Sequence, residues 1–292
     1  MLEPLNPALL GCDFSSSPGR RKPIVLALGA LDGRAVRLHG FVRCDTLAAF
    51  ADWLAAPRDW VGGFDLPFGL PRTLVQALGW PTDWQACMRH YAGLTRAEIR
   101  ACFVAWCAAR PAGAKFAHRA VDRPAGASPS MKWVNPPVAF MLHAGVPLLL
   151  QAGVHLPGLM PPPPPGAAAR RVGLEAYPGL LARALIGRRS YKSDDRARQT
   201  PERQQARRAL VDALRSGAGA SSLGLSLDCT ADQALELVAD ASGDRLDAAL
   251  CLLQAGWALA RHRDGAPLYG LPPQLDPLEG WIVTVPWPSI GG

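Results

Sequence analysis

Apolar and polar positions alternate in blocks that predict a run of strands, then helices. Leu9–Ser15 is a short apolar stretch that ends in a carboxylate, Asp13. Pro23–Leu31 and Ala35–Val42 follow, separated by Asp32-Gly33, a hairpin turn signal. Thr46–Ala56 changes period: Leu47, Phe50 and Leu54 share one helical face, with Asp45 as the expected N-cap. Trp60–Leu66 reads as a buried strand, stopped by Pro67 and Pro71. The opening order is therefore β-β-β-α-β, a hairpin-linked trio followed by a helix and a fourth strand.

Downstream, Arg72–Arg110 has a helical pattern broken near Gly79-Trp80-Pro81, and Pro111–Pro129 reads as a basic, Gly/Pro-rich loop. A further helix is expected from Pro136, and a strand over Val154–Met160. The Pro161–Pro165 run favours polyproline II and reads as a stiff surface loop. Arg171–Ala176 reads as a strand, Ala182–Gly187 and Pro201–Arg215 as helices, and Thr230–Ala239 as a helix capped by Thr230. Asp244–Arg261 reads as an amphipathic helix, and Trp281–Val285 as a closing strand. Together these give an α/β fold with a mixed sheet and helical insertions. Residues 7–292 are expected to form one domain, with residues 72–150 a helical insertion within it.

Composition narrows the class. Hydrophobic residues are 49% of the 292 and charged residues 19%, which suits a globular chain with a substantial core. Seven cysteines without a C-x-x-C pair exclude a zinc spacing and fit packing as free thiols in a reducing compartment. Met1–Leu10 lacks a basic segment followed by a long apolar run, so no signal peptide is expected. Val138–Leu150 is too short to span a bilayer. A soluble, cytoplasmic protein without a membrane partner is the expectation. The formal charge of +7 is compatible with a polyanionic partner. No G-x-S-x-G and no G-x-x-x-x-G-K-[ST] occurs, which argues against a serine hydrolase and a P-loop ATPase.

The chemistry is concentrated in a few acids. Asp13 is followed by Phe14 and Ser15–Ser17; a carboxylate at a strand end beside small residues either holds a hard cation near a phosphate or closes an Asx-turn. Asp65, inside Gly63-Phe64-Asp65-Leu66-Pro67, must be paired, metal-bound or at an exposed strand end, where Pro67 and Gly69 stop the strand, or else is satisfied by the amides of a turn. Asp244 and Asp247 share one helix face, either aimed into a cleft or serving as N-cap and first-turn acid. Glu175 interrupts another apolar strand as accessory ligand, general base, or structural partner of an arginine. Phosphate-contact candidates are Ser15, Arg20, Arg21, Lys22, Arg188, Tyr191 and Lys192; Arg72 is either another or a partner for Asp65.

The order of these acids is similar to the ribonuclease H-like superfamily, and Asp244-x-x-Asp247 on the last helix is most like its Holliday-junction resolvase branch. The whole chain resembles the domain-of-unknown-function 429 family, described as predicted ribonuclease H-like nucleases. The stretches that carry the resemblance begin at Gly11-Cys12-Asp13-Phe14 and at Gly62-Gly63-Phe64-Asp65-Leu66-Pro67-Phe68-Gly69-Leu70-Pro71-Arg72. Further stretches are Leu174-Glu175-Ala176-Tyr177-Pro178, Arg188-Arg189-Ser190-Tyr191-Lys192, Gly243-Asp244-Arg245-Leu246-Asp247-Ala248 and Glu279-Gly280-Trp281-Ile282. They span Gly11 to Ile282. The resemblance implies metal-dependent hydrolysis of phosphodiesters in DNA or RNA. In that scheme Asp13 bridges two Mg²⁺ or Mn²⁺ ions about 3.5–4 Å apart. Asp65 and Asp247 hold one each, and Asp244 lies beside them. The alternatives are a catalytically silent nucleic-acid or protein-binding module of the same fold, and an actin-like or sugar-kinase-type phosphotransferase.

Overall fold

A computed structural model describes residues 8–162, 164, 170–217 and 223–287. Its centre is a six-stranded mixed sheet: β1 (Ala8–Asp13), β2 (Ile24–Asp32), β3 (Ala35–Cys44), β4 (Trp60–Phe64), β5 (Arg171–Glu175) and β6 (Ser226–Asp228). The strand order is β5-β4-β1-β2-β3-β6. The first three strands form the expected antiparallel meander. Its two-residue turn is Gly33-Arg34, one position later than the sequence signal, with Gly33 at φ +56°. Strand β4 returns parallel beside β1, β5 parallel beside β4, and β6 parallel beside β3.

The period of two along the central strands sorts side chains into two cores. Leu9, Val25, Ala27 and Val61 face one; Leu10, Cys12, Ile24 and Leu26 face the other. The second core is covered by α1 (Leu47–Ala55), α2 (Arg72–Ala77), α3 (Trp84–Gly93), α4 (Arg96–Ala108) and α6 (Val138–Gln151). The first is covered by α7 (Pro178–Ile186), α8 (Pro201–Arg215), α9 (Ala231–Ala239) and α10 (Asp244–Arg263), with Val121 and Ala125 of the short α5 (Asp122–Ala125). The arrangement is an α/β fold with helices on both faces of the sheet. Residues 72–151, between β4 and β5, carry α2 to α6. No helix among the described residues is long and apolar enough to cross a membrane.

Several local expectations are corrected. The N-cap of α1 is Thr46, whose hydroxyl accepts from Ala49 N, while Asp45 accepts from Arg43 instead. The region Arg72–Arg110 breaks twice, since Thr95 starts α4 with a capping box. Val154–Met160 makes only isolated bridges, His155 with Val172 and Pro157 with Met160. The helix expected at Ala182 starts earlier, with Pro178 at its first position, where a missing N–H costs nothing. Trp281–Val285 is not a strand. Val283 N does donate to Glu175 O, but the segment then folds back, with Thr284 at φ +73° and Trp281 Nε1 donating to Val285 O. Of the proline run, Pro163 and Pro165 lie outside the described residues.

Helix α10 departs from its amphipathic reading most. Every residue from Leu246 to Gly256 is buried. A helix covered on all sides must come very close to its sheet. Two glycines allow this: a Cβ on Gly11 would lie 2.0 Å from Ala248 O, and one on Gly63 would lie 2.5 Å from Cys251 O.

Candidate functional site

Three of the four predicted aspartates meet at one point. Asp13, Asp65 and Asp247 each offer a carboxylate oxygen, and these atoms all lie within 4.8 Å of one another. Asp13 ends β1, Asp65 follows the last residue of β4, and its amide donates to Cys12 O to extend the parallel ladder by one residue. The site thus stands at the carboxyl ends of parallel strands, where open α/β sheets place their ligands. Asp247 comes from the first turn of α10, where the helix dipole favours an anion.

Each strand carries a glycine two residues before its aspartate: Gly11-x-Asp13 and Gly63-x-Asp65. Since side chains alternate, glycine and aspartate share a face. The bare glycine admits the backbone of α10, and the aspartate beyond it meets the start of that helix. The doubled Gly-x-Asp spacing is a signal in the sequence that could have marked this convergence, apart from the acids taken singly.

The three carboxylates are not equally accessible. Asp247 is fully buried, Asp13 nearly so, and Asp65 half-buried. Tyr191 Oη donates to Asp247 Oδ1 at 2.5 Å, and Lys192 Nζ contacts Asp247 Oδ2. Burial, then the charge of Asp247, pushes Asp13 well above the usual carboxylate range; Lys192 and Lys22 oppose this. The same two causes push Asp65 up to about 7. Burial disfavours the charged form of Lys192, but Asp247, Tyr191 and Asp13 outweigh it and hold the ammonium protonated.

Asp244 lies outside the three-carboxylate group. It is the first residue of α10, the N-cap being Gly243, and its Oδ1 accepts from Lys22 Nζ at 2.8 Å. Lys22 also reaches Asp194, at 2.8 Å, so it ties the segment after β1 to the segment before α8. Burial disfavours the ammonium, but Asp13 and Asp244 raise the Lys22 pKa above its ordinary value. Lys22 and Lys192 were expected to face phosphate; both are instead counter-ions of the aspartates. Neither pairing was legible, because each joins residues far apart in the chain.

Glu175 also stands apart. Arg119 grips it with Nη1 to Oε2 at 2.7 Å and Nη2 to Oε1 at 2.6 Å, and Phe68 N donates to Oε2. Arg119 further binds Asp122 and the backbone oxygen of Glu279, all within the interior. Of the three readings of Glu175, this geometry is that of an arginine partner. Burial raises its pKa, and Arg119 opposes the rise. Arg72 does not pair with Asp65: its guanidinium takes both oxygens of Asp276, at 2.5 and 2.6 Å. Ser15, half-buried, accepts from Ser17 N at 3.4 Å, and Arg96 of α4 secures the same loop through Ser16 O and Ser17 Oγ. Arg20, Arg21 and Arg188 are exposed.

The donor set is chemically suited to a hard divalent cation. It is three carboxylates and no nitrogen or sulfur, and such cations take oxygen ligands. Burial first, and the charge of Asp247 second, raise Asp13 and Asp65, and a bound cation would favour their charged forms. Both oxygens of Asp247 already accept one hydrogen bond, but each keeps a second lone pair. Neither a family model, nor a curated protein, nor a solved structure matches this chain.

Proposed function

We propose that this protein is a ribonuclease H-like, metal-dependent nuclease that hydrolyses phosphodiester bonds. The observation that carries the reading is the convergence of Asp13, Asp65 and Asp247 from two adjacent parallel strands and a late helix. The strand arrangement supports it: a hairpin-linked trio, then a helix, then a fourth strand returning beside the first.

Asp13, Asp65 and Asp247 would hold Mg²⁺ or Mn²⁺. A second ion, if bound, would draw on Asp13 and on Asp244, which would have to part from Lys22. Bound divalent cations supply Lewis acidity toward phosphoryl oxygen and stabilise the charge of attacking and leaving oxygens. The remaining work falls to the chain. Tyr191 fixes the orientation of Asp247 through one oxygen. Lys192 and Lys22 keep positive charge beside the acids, which tempers their repulsion of a phosphate. Exposed Arg188, Arg20 and Arg21 extend that positive charge outward for backbone contacts. Water adds across the P–O bond, leaving a phosphomonoester and an alcohol.

The test is Mn²⁺-dependent cleavage of a panel of DNA and RNA substrates by the wild type and Asp13→Asn, with Mn²⁺ binding measured by calorimetry. Cleavage by the wild type alone supports the reading. Mn²⁺ binding without cleavage of any substrate would favour the silent module, and cleavage undiminished in Asp13→Asn would remove the aspartates from the chemistry.

A further inference from the structure

A cavity of about 620 Å³ opens directly beside the aspartates. Its lining includes Asp65, one of the three aspartates, and Lys192, which contacts Asp247, so the cavity adjoins the acidic group. Its walls are largely apolar and include Leu66, Met141, Tyr177 and Ile282. Arg188 and Arg189, exposed, also line it. The cavity therefore has an apolar body, an aromatic wall, and cations next to the proposed site of phosphate chemistry.

That combination discriminates among occupants. A free phosphate or other small anion would use the cations and leave the apolar volume unfilled. An aliphatic ligand would fill the volume and leave the cations unused. A nucleotide satisfies both, with its base against Tyr177 and Met141 and its phosphates toward Lys192, Arg188 and Arg189. The volume lies within the range of roughly 300–1,000 Å³ that takes one small organic ligand. It has no room for a stacked duplex.

We propose that this cavity receives the base and sugar of a single unpaired nucleotide, so that the substrate class is single-stranded nucleic acid or an unpaired strand end. This rests on the nuclease reading for the role of the neighbouring aspartates. A base held in a duplex is stacked on both faces and must be extruded before it can enter such a pocket. An unpaired base avoids that cost and can stack on an aromatic side chain whatever its identity. Tyr177 is half-buried at the cavity wall, its hydroxyl donates to Gly126 O at 3.3 Å, and the Arg183 guanidinium lies over one face of its ring at 5.3 Å, so a base would stack on the other face. Ser128, on another part of the wall, is small and half-buried.

The test uses the full chain in EDTA and a fluorescein-labelled ten-residue oligothymidylate, alone or annealed to its complement, with anisotropy as the readout. The single strand is expected to bind at least tenfold more tightly than the duplex. Ser128→Trp, which adds bulk to the cavity at a residue outside the aspartate group, is expected to weaken single-strand binding by about tenfold or more, with an unchanged melting temperature. Tyr177→Ala is expected to act in the same direction through lost stacking, within about 5- to 150-fold. Equal or tighter duplex binding, no binding of either form, or single-strand binding unaltered in Ser128→Trp overturns the proposal. Mn²⁺-dependent cleavage is scored separately. Cleavage of duplex and single strand alike, unaffected by Ser128→Trp, overturns the cavity's role and leaves the nuclease standing. Selective binding abolished by Ser128→Trp, without cleavage of any substrate, keeps the cavity's role and removes the nuclease.

Discussion

Gly11 of β1 and Gly63 of β4 stand opposite each other in the parallel ladder, and α10 packs its backbone against both. Because Asp13 and Asp65 lie two residues beyond them, this pair sets how closely the first turn of α10 approaches the two strand ends. Gly11→Ala is expected to push the helix off the sheet. Overpacking of this kind costs about 1–3 kcal/mol, and the clash with backbone at 2.0 Å places it toward the upper end. Gly63→Ala is expected to behave alike. Gly93→Ala, whose Cβ would meet nothing within 4 Å, is the control and is expected to be neutral or slightly stabilising. Urea denaturation and Mn²⁺ affinity measured together check this: both should fall in the first two variants and hold in the third.

The same contrast between local and distant causes explains what the sequence made legible. The meander, the helix after it and the fourth strand follow from local period and turn residues, and each was readable. The convergence of Asp13, Asp65, Asp244 and Asp247 was expected from their positions at strand ends and on one helix face; three of them meet, and Asp244 pairs with Lys22 outside the group. The roles of Lys22 and Lys192 were not, since a long flexible ammonium can turn to water, phosphate or carboxylate, and only the tertiary fold decides. Trp281–Val285 misled for a related reason. Its apolar residues are buried by packing on the core, and burial alone gives an apolar run without requiring a ladder. Strand β6, three residues long, is too short to show a period.

Asp13→Asn separates stability from metal binding. In the metal-free protein Asp13 is buried against Asp247, so at alkaline pH, where its raised carboxyl ionises, replacing it with a neutral amide relieves repulsion. The expected gain is on the order of 1 kcal/mol, seen as a higher melting temperature in EDTA. Mn²⁺ should stabilise the wild type by about 2.7 kcal/mol at a hundredfold excess over its Kd, and stabilise Asp13→Asn far less. A variant less stable than the wild type in EDTA, or stabilised equally by Mn²⁺, would show that Asp13 is a structural acid.

The Asp65 carboxyl gives a pH dependence whose sign follows from its raised value. Folded, it titrates at about 7; unfolded, at about 3.9. Between these the native state binds the additional proton, so stability falls as pH rises. The contribution is fully present below about pH 4, declines through the window, and is gone above about pH 7. Asp65→Asn removes it. In EDTA, the stability of the wild type relative to Asp65→Asn should therefore fall between about pH 4 and pH 7 and then level off. Saturating Mn²⁺ should reverse the fall at pH 8, where the carboxylate is free to coordinate. A difference that is constant with pH would rule out the raised titration.

Glu175 and Arg119 supply the test that separates scaffold from chemistry at this end of the sheet. Arg119 is buried and serves Glu175, Asp122 and the backbone of Glu279 at once, joining the segment before α5 to β5 and to the chain near its end. Arg119→Met leaves two buried acids without their cation, and breaking a buried pair in this way costs about 3–5 kcal/mol. Glu175→Gln keeps the size of the side chain and an oxygen for Phe68 N, so its cost should be smaller, about 1.5–3 kcal/mol for the loss of hydrogen bonds to a charged group. Neither residue contributes to the group formed by Asp13, Asp65 and Asp247. Glu175→Gln, assayed at a temperature where it is fully folded, is therefore expected to keep most of any Mn²⁺-dependent cleavage and the wild-type pH profile, while Asp13→Asn loses cleavage in the same assay. If Glu175→Gln instead abolishes cleavage with Mn²⁺ affinity and melting temperature intact, Glu175 takes part in the reaction as a base and its partnership with Arg119 serves to aim it.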